Sequence, residues 1–290
     1  MIPKIIHYCW FGKGQKPELA DKCISSWKRF FPDYEIKEWN EENYPVEECC
    51  DYVKEAYKEK KWAFVSDYAR FDILYRYGGI YFDTDVEVIK PIDDILELGA
   101  FMGGETIVDS KKDTGKGTVK NNGMTVAPGL GMAANPGLGI YKEMIESYQK
   151  SHFLNDDGTL NKTTIVARMT DILSKHGFRR NDLSIQKVDG IYIYPPEYFA
   201  PFVYHTGEMI ITENTRTIHH YMASWKTPEE MKMKEIGLRL EKRFGVKAGR
   251  GISKIVNIPF RIQMKLKKHG LKGSFLLFYR HYFKHGKRGN

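Results

Sequence analysis

The run Lys4-Ile5-Ile6-His7-Tyr8-Cys9-Trp10-Phe11 is short, apolar and rich in aromatics, and Gly12 and Gly14 stop it. It predicts a buried strand that runs into a loop. Beyond Pro17, Leu19, Cys23, Trp27 and Phe30 recur at helical spacing until Pro32, which predicts an amphipathic helix. Tyr34 to Trp39 predicts a second strand. Strand, helix and strand at this length predict a parallel crossover, and hence an α/β sheet.

A polar helix is predicted over 47–60 and a more apolar one over 62–77, closed by Gly78-Gly79. Ile80-Tyr81-Phe82 and Val86-Glu87-Val88 read as strand halves around Asp83-Thr84-Asp85, with Pro91 ending the segment. Positions 104–123 are polar and glycine-rich and predict a long exposed loop. A strand at 124–127, helices from Pro136 to Tyr148 and from Thr163 to His176, and β pieces at 183–188 and 191–194 follow. A last segment runs from Thr217 to Trp225.

Composition then narrows the class. No run of about 18 apolar positions occurs, and the opening MIPKIIHYCW has no basic lead before an apolar stretch, so neither a spanning helix nor a secretory leader is expected. Four cysteines, with Cys49 and Cys50 adjacent, are too few and too oddly spaced for a disulfide framework or a structural zinc site, and they fit a reducing cytoplasm. The net charge of +8 conceals an asymmetry. From Lys226 onward there are 18 Lys and Arg against four Glu, a local +14, which leaves the first 225 of the 290 positions at −6. Two parts are therefore expected, a body over 1–225 and a basic helical extension over 226–290. Neither a phosphate-binding loop nor a dinucleotide fingerprint follows the first strand, so ATP hydrolysis and hydride transfer lose support.

Asp83 and Asp85 carry the most informative chemistry. Ionised carboxylates entering a buried sheet need compensation, and a divalent cation bridging a diphosphate supplies it. On the preceding helix, Phe64, Phe71, Leu74 and Tyr75 mark an apolar stripe. Asp67 projects from that stripe and Arg70 follows one turn on. The two can form a structural i,i+3 pair, or point across at Asp83 and Asp85 and hydrogen-bond a polyhydroxylated ligand. Because close carboxylates repel when no cation separates them, Asp85→Asn is expected to raise the melting temperature of the cation-free protein slightly.

Three motifs together, Ile6-His7-Tyr8-Cys9-Trp10-Phe11-Gly12, Ser66-Asp67-Tyr68-Ala69-Arg70-Phe71 and Gly78-Gly79-Ile80-Tyr81-Phe82-Asp83-Thr84-Asp85, resemble the signature of family 32 glycosyltransferases. A looser match runs from His219 to Trp225. The group includes bacterial capsule and polysaccharide transferases and yeast initiating mannosyltransferases, and is similar to the glucosylating domains of large clostridial toxins. The resemblance implies a GT-A nucleotide-sugar-binding fold, a central mixed sheet flanked by helices, using Mn²⁺ or Mg²⁺ and a UDP-sugar by preference, with a GDP-sugar as the alternative. It implies that Trp10 stacks on the nucleotide base and that Ser66, Asp67 and Arg70 hold the donor's hydroxyls, with Tyr81 nearby. Asp83 would contact the sugar or ribose and reach the metal through water, Asp85 would bind the metal directly, and Ser224 and Trp225 would close over the diphosphate. Asp67 and Arg70 are the expected catalytic residues, Arg70 and the metal stabilising charge on the leaving diphosphate.

Vicinal histidines on a strand face opposite ways, so at most one of His219 and His220 faces the site; the resemblance, through GT-A transferases that use a late His in this way, implies His220 as the third metal ligand. His7 reads as a core residue. Asn121-Asn122-Gly123 is either an acceptor-side element or a plain turn.

The expected function is retaining transfer of a hexose to a saccharide or lipid-linked acceptor in bacterial capsular or surface-polysaccharide synthesis. In the extension, Lys232, Lys234, Arg239, Lys242 and Arg243 precede Ile252, Ile255, Val256, Ile258, Phe260, Ile262 and Phe275 to Tyr279. This mixture suits an interfacial helix on anionic lipid, placing the protein at the cytoplasmic face of the cell membrane; a helical cap on the body is the plainer reading. No nucleic-acid-binding signature accompanies the charge. A polyanion-binding protein with structural carboxylates and a metal-dependent phosphohydrolase remain the alternatives.

Overall fold

The computed structural model describes residues 1–107, 123–161, 163–203, 208–222, 228–263 and 266. Asn121, Asn122, Ser224, Trp225 and Phe275 to Tyr279 lie outside the described residues. The described residues form two compact units, one within positions 1–225 and one beyond them.

In the first unit, β1 (Ile5–Cys9), α1 (Glu18–Phe30) and β2 (Glu35–Trp39) make the expected crossover. The two strands are parallel, in register from Ile5 opposite Glu35 to Cys9 opposite Trp39. The helix expected over 47–60 is shorter. A 3-10 turn at Val46–Glu48 comes first, and the extended backbone at Cys50 delays the helical start to α2 (Asp51–Lys58). The next helix, α3 (Trp62–Tyr77), has the expected bounds. It stops at Gly78, whose φ of +65° suits glycine and where a Cβ would lie 2.7 Å from the Pro136 ring and 2.8 Å from the Ala134 carbonyl.

The chain continues through β3 (Gly79–Tyr81), β4 (Val86–Val88), α4 (Asp93–Leu98), β5 (Phe101–Thr106), β6 (Met124–Val126), β7 (Met132–Ala134), α5 (Gly139–Gln149) and α6 (Ile165–Lys175). Then come β8 (Gln186–Val188), β9 (Ile191–Tyr194), α7 (Pro196–Phe199), β10 (Phe202–Val203), β11 (Glu208–Met209) and β12 (Thr217–His219). The main sheet runs β2-β1-β3-β7-β5-β9-β8, with β6 paired to β5. It is mixed: β1, β2 and β3 are parallel, β7 is antiparallel to both its neighbours, and β5 and β9 are parallel. This is the expected α/β class, a central mixed sheet flanked by helices.

Two apolar clusters sandwich the sheet. One gathers Val65, Phe71 and Leu74 of α3 with Tyr141 and Met144 of α5 and Met169 of α6. The other gathers Cys23 and Trp27 of α1 with Ile6, Phe82, Val86, Phe101 and Phe199. A small second sheet pairs β12 with β4 antiparallel, which sets His219 opposite Val86. The expected loop over 104–123 requires a correction: 104–106 belong to β5, because Phe101 and Met102 start a strand that the two following glycines do not end.

The second unit is a helix pair, α8 (Pro228–Phe244) and α9 (Val246–Val256), turned at Gly245 and tied by the Asn257 side chain to the Met233 carbonyl at 3.2 Å. It exposes Phe244, Ile255, Val256, Ile258, Ile262 and Leu266. Among the described residues, no helix is long and apolar enough to cross a membrane.

Candidate active site

The turn Asp83-Thr84-Asp85 joins β3 to β4, and the Asp83 amide donates to the Gly129 carbonyl at 3.3 Å. Each carboxylate meets a nitrogen-bearing side chain from a different element. From α3, Arg70 places its guanidinium against Asp83 through two contacts of 3.1 and 3.3 Å, and against Asp67 at 3.0 Å. Its Nε donates to the Ser66 carbonyl at 3.1 Å, and its plane lies 4.8 Å from the Tyr81 ring centroid. Tyr81, buried, donates its hydroxyl to Asp83 at 3.2 Å. The i,i+3 pair of the sequence reading is present, and Arg70 also reaches Asp83.

From β12, His219 Nε2 meets Asp85 Oδ1 at 3.1 Å, while the other Asp85 oxygen accepts from the Met222 amide at 2.8 Å. Asp83, Asp85 and His219 each bring one ligating atom to within 4.8 Å of the others. His220 does not join them; its Nε2 contacts Glu87 at 2.8 Å and its amide donates to the Asp85 carbonyl. The alternation along the strand excludes one of the two histidines, as expected, but the pairing of β12 with β4 sends His219 inward rather than His220.

Electrostatics follow from this packing. Burial raises the Asp83 carboxyl above its ordinary range, against the Arg70 charge, and neighbouring Asp85 raises it further. Burial also acts on Asp85, but the His219 hydrogen bond and charge outweigh it, so this carboxyl lies below its ordinary value. Burial would lower His219, yet Asp85, Asp83 and Glu105 hold it higher. Asp67 is raised, chiefly by burial, despite Arg70. Two desolvated carboxylates and an imidazole are a donor set that suits Mn²⁺, and the carboxylates alone suit Mg²⁺, so the residues fit a divalent cation.

Of the other expected donor ligands, Trp10 is half-buried at the exit of β1, with Nε1 donating to the Gly14 carbonyl at 2.6 Å. Ser66 is half-buried, and its hydroxyl donates to the Trp62 carbonyl within α3. Arg70 has a side chain only 4% exposed, and the carboxylates occupy it, so in this arrangement it orients Asp67 and Asp83. His7 is a core residue, its Nδ1 accepting from Trp39 Nε1 and its Nε2 facing the Gly78 carbonyl, both at 3.0 Å. Two residues escape the sequence reading. Gly129 leaves room for Asp83, since a Cβ there would lie 2.1 Å from Asp83 Oδ2 and 3.0 Å from an Arg70 nitrogen; Pro128-Gly129 is a turn signal that could have marked it. Glu105, a half-buried carboxylate on β5 whose charge acts on His219, is hidden in a stretch that reads as loop.

Residues 17–101 match the family described as glycosyltransferase sugar-binding region containing a DXD motif. Inositol phosphoceramide mannosyltransferase 3 of Schizosaccharomyces pombe is 30% identical over 134 residues, 44% of this chain and 34% of that protein. Inositol phosphoceramide mannosyltransferase 1 of the same yeast is 31% identical over 109 residues, 35% of this chain and 33% of that one. The chain spans about a third of the length of these curated relatives. Among solved structures, the PaToxG glycosyltransferase superposes with a TM-score of 0.41 at 14% identity, covering 60% of this chain and 69% of its own. The matched residues 17–101 hold both the Asp67–Arg70 pair and the Asp83-Thr84-Asp85 turn, so the likeness to DXD-containing glycosyltransferases falls on the part of the chain that builds this site.

Proposed function

We propose that this protein transfers a hexose from a nucleotide sugar to a saccharide or lipid-linked acceptor with retention of configuration, in surface-polysaccharide assembly. The observation that carries the reading is the convergence of Asp83, Asp85 and His219 within 4.8 Å, backed by Arg70 and Asp67. These three side chains would hold Mn²⁺ or Mg²⁺. A bound divalent cation supplies Lewis-acid stabilisation of the leaving diphosphate. Arg70 fixes Asp83 bidentately and Tyr81 holds the same carboxylate, so its direction is set before donor arrives. The half-exposed Trp10 offers a face for the base, and Asp67, tied to Arg70, offers an acceptor for a sugar hydroxyl. UDP-sugars remain the favoured donors; the yeast relatives are named mannosyltransferases, which adds nucleotide-linked mannose to the set worth testing.

The extension would hold the enzyme on anionic lipid at the cytoplasmic membrane face. Ile255, Val256, Ile258 and Ile262 are exposed there beside Lys254 and Arg261, the mixture an interfacial helix needs. A thermal-shift panel of UDP- and GDP-sugars with and without Mn²⁺ tests the donor reading. One nucleotide should stabilise the protein only with metal, by about 2.7 kcal/mol at a hundred times its Kd. A flat panel, or equal shifts without metal, would contradict it.

A further inference from the structure

His219 brings Nε2 to Asp85 at 3.1 Å, whereas its Nδ1 is buried with no hydrogen-bond partner among the described residues. A metal-ligating imidazole usually donates its second N–H to a carboxylate or carbonyl, and that bond fixes the ring. The χ2 torsion of histidine is broad, and the Nε2 lone pair lies in the ring plane, so another contact must set that plane if Nε2 is to face a cation. Tyr221 makes such a contact. Its half-buried ring meets the His219 ring edge to face, with centroids 4.2 Å apart and planes at 73°, and the Phe202 ring of β10 lies 6.0 Å from it. Aromatic pairs of this kind prefer defined geometries, so the contact is directional as well as apolar.

The backbone is unusual at the same position. Tyr221 has a φ of +50°, in the left-handed region that a bulky side chain seldom enters. Strain of this kind persists where the surrounding structure holds it, and it gathers at functional sites. The residues on either side both donate backbone N–H groups to Asp85, His220 to its carbonyl at 2.9 Å and Met222 to its carboxylate at 2.8 Å. The kink at Tyr221 lies between these two amides. Glycine would take this φ without strain, so what tyrosine adds here is its ring. We infer that Tyr221 is a positioning residue whose ring fixes the plane of the His219 imidazole and so aims Nε2 at a cation held beside Asp83 and Asp85. The inference rests on the metal-dependent reading above and assigns that site a side chain that acts through His219.

The test is Mn²⁺ binding by the full-length protein without donor, followed by the electron paramagnetic resonance of the free ion, with circular dichroism to show that each variant folds. Tyr221→Ala removes the ring and should weaken Mn²⁺ binding about 10–100-fold, the range for groups that orient metal ligands. Tyr221→Gly, which removes the ring and relieves the backbone, should show the same loss and serves if the alanine variant does not fold. Tyr221→Phe keeps the ring and should bind as the wild type does. In a His219→Gln background, Tyr221→Ala should have no further effect; if that background binds too weakly to compare, rescue by phenylalanine decides. Unaltered affinity in the folded alanine or glycine variant, a loss in Tyr221→Phe as large as in Tyr221→Ala, or an equal loss in both His219 backgrounds would overturn the inference. Failure of the wild type to bind Mn²⁺ would overturn the metal-dependent reading along with it, whereas wild-type binding with an unaltered alanine variant would remove Tyr221 alone.

Discussion

Gly129→Ala perturbs the site without removing a functional group. Gly129 shows no positive φ, so the backbone accepts alanine, and the substitution by itself should stabilise the fold by about 0.4–1 kcal/mol through the unfolded chain. The new Cβ, however, would lie 2.1 Å from Asp83 Oδ2 and 3.0 Å from an Arg70 nitrogen. Ordinary contact begins at 3.4 Å, so the Asp83 carboxylate must retreat by more than an ångström. Arg70 cannot follow, because Asp67 and the Ser66 carbonyl hold it. A displacement of about 1 Å in a positioned group costs on the order of 100-fold in rate, or about 2.7 kcal/mol of transition-state stabilisation. The assay is release of nucleoside diphosphate from the donor found in the panel, with urea unfolding as the control. The expected result is a loss of roughly 100-fold in kcat/KM in a protein that still unfolds cooperatively, the loosened Asp83–Arg70 contact offsetting the gain from the unfolded chain. Full activity in Gly129→Ala would refute the claim that the Asp83–Arg70 geometry sets the rate.

Asp85→Asn should abolish metal-dependent transfer and also lower the melting temperature of the cation-free protein, by about 1–3 kcal/mol in stability, since a buried His219 loses its charged partner; calorimetry with and without Mn²⁺ reads both. Trp10→Ala should weaken nucleotide binding by about 1–3 kcal/mol in titration calorimetry, whereas a purely structural Trp10 would instead cost about 3–5 kcal/mol of stability. Burial lowers the His7 pKa from 6.5 to about 4, so its contribution to stability is complete above about pH 6.5 and fades as pH falls towards 4, costing about 3 kcal/mol in all; urea unfolding across this window should lose that slope in His7→Gln. Deleting the residues after Lys247 should leave donor hydrolysis intact and abolish co-sedimentation with anionic vesicles, and salt should release the full-length protein; equal sedimentation of both would make the extension a structural cap.

The sequence exposes what is local. The range of α3, its stop at Gly78 and the carboxylate turn all follow from periodicity, glycine placement and charge in an apolar setting. The three motifs that carry the resemblance converge because β1, α3 and β3 are neighbours in the fold. What the sequence hides is set by pairing over long distances. Which histidine faces the aspartates depends on the register of β12 against β4, about 130 positions apart, and a shift by one residue would exchange them. The expected stabilisation by Asp85→Asn gives way for the same reason: Asp85 and Asp83 do repel, but the His219 and Met222 contacts to Asp85, which no spacing in the sequence reveals, outweigh that repulsion. Glu105 is obscured because Gly103-Gly104 reads as loop, although both glycines lie within β5 where Phe199 and the Tyr194 carbonyl approach too closely for a side chain.

Proton NMR of full-length protein mixed with the stabilising nucleotide sugar, with Mn²⁺ added only after a baseline, follows the anomeric signal of the donor directly. On addition of metal the donor signal should decay while sugar with the same anomeric configuration accumulates, free or on the acceptor, and Asp85→Asn should leave the donor untouched. Decay of the donor at the same rate before and after Mn²⁺, or equally in the variant, would contradict a cation-assisted glycosyl transfer at Asp83, Asp85 and His219.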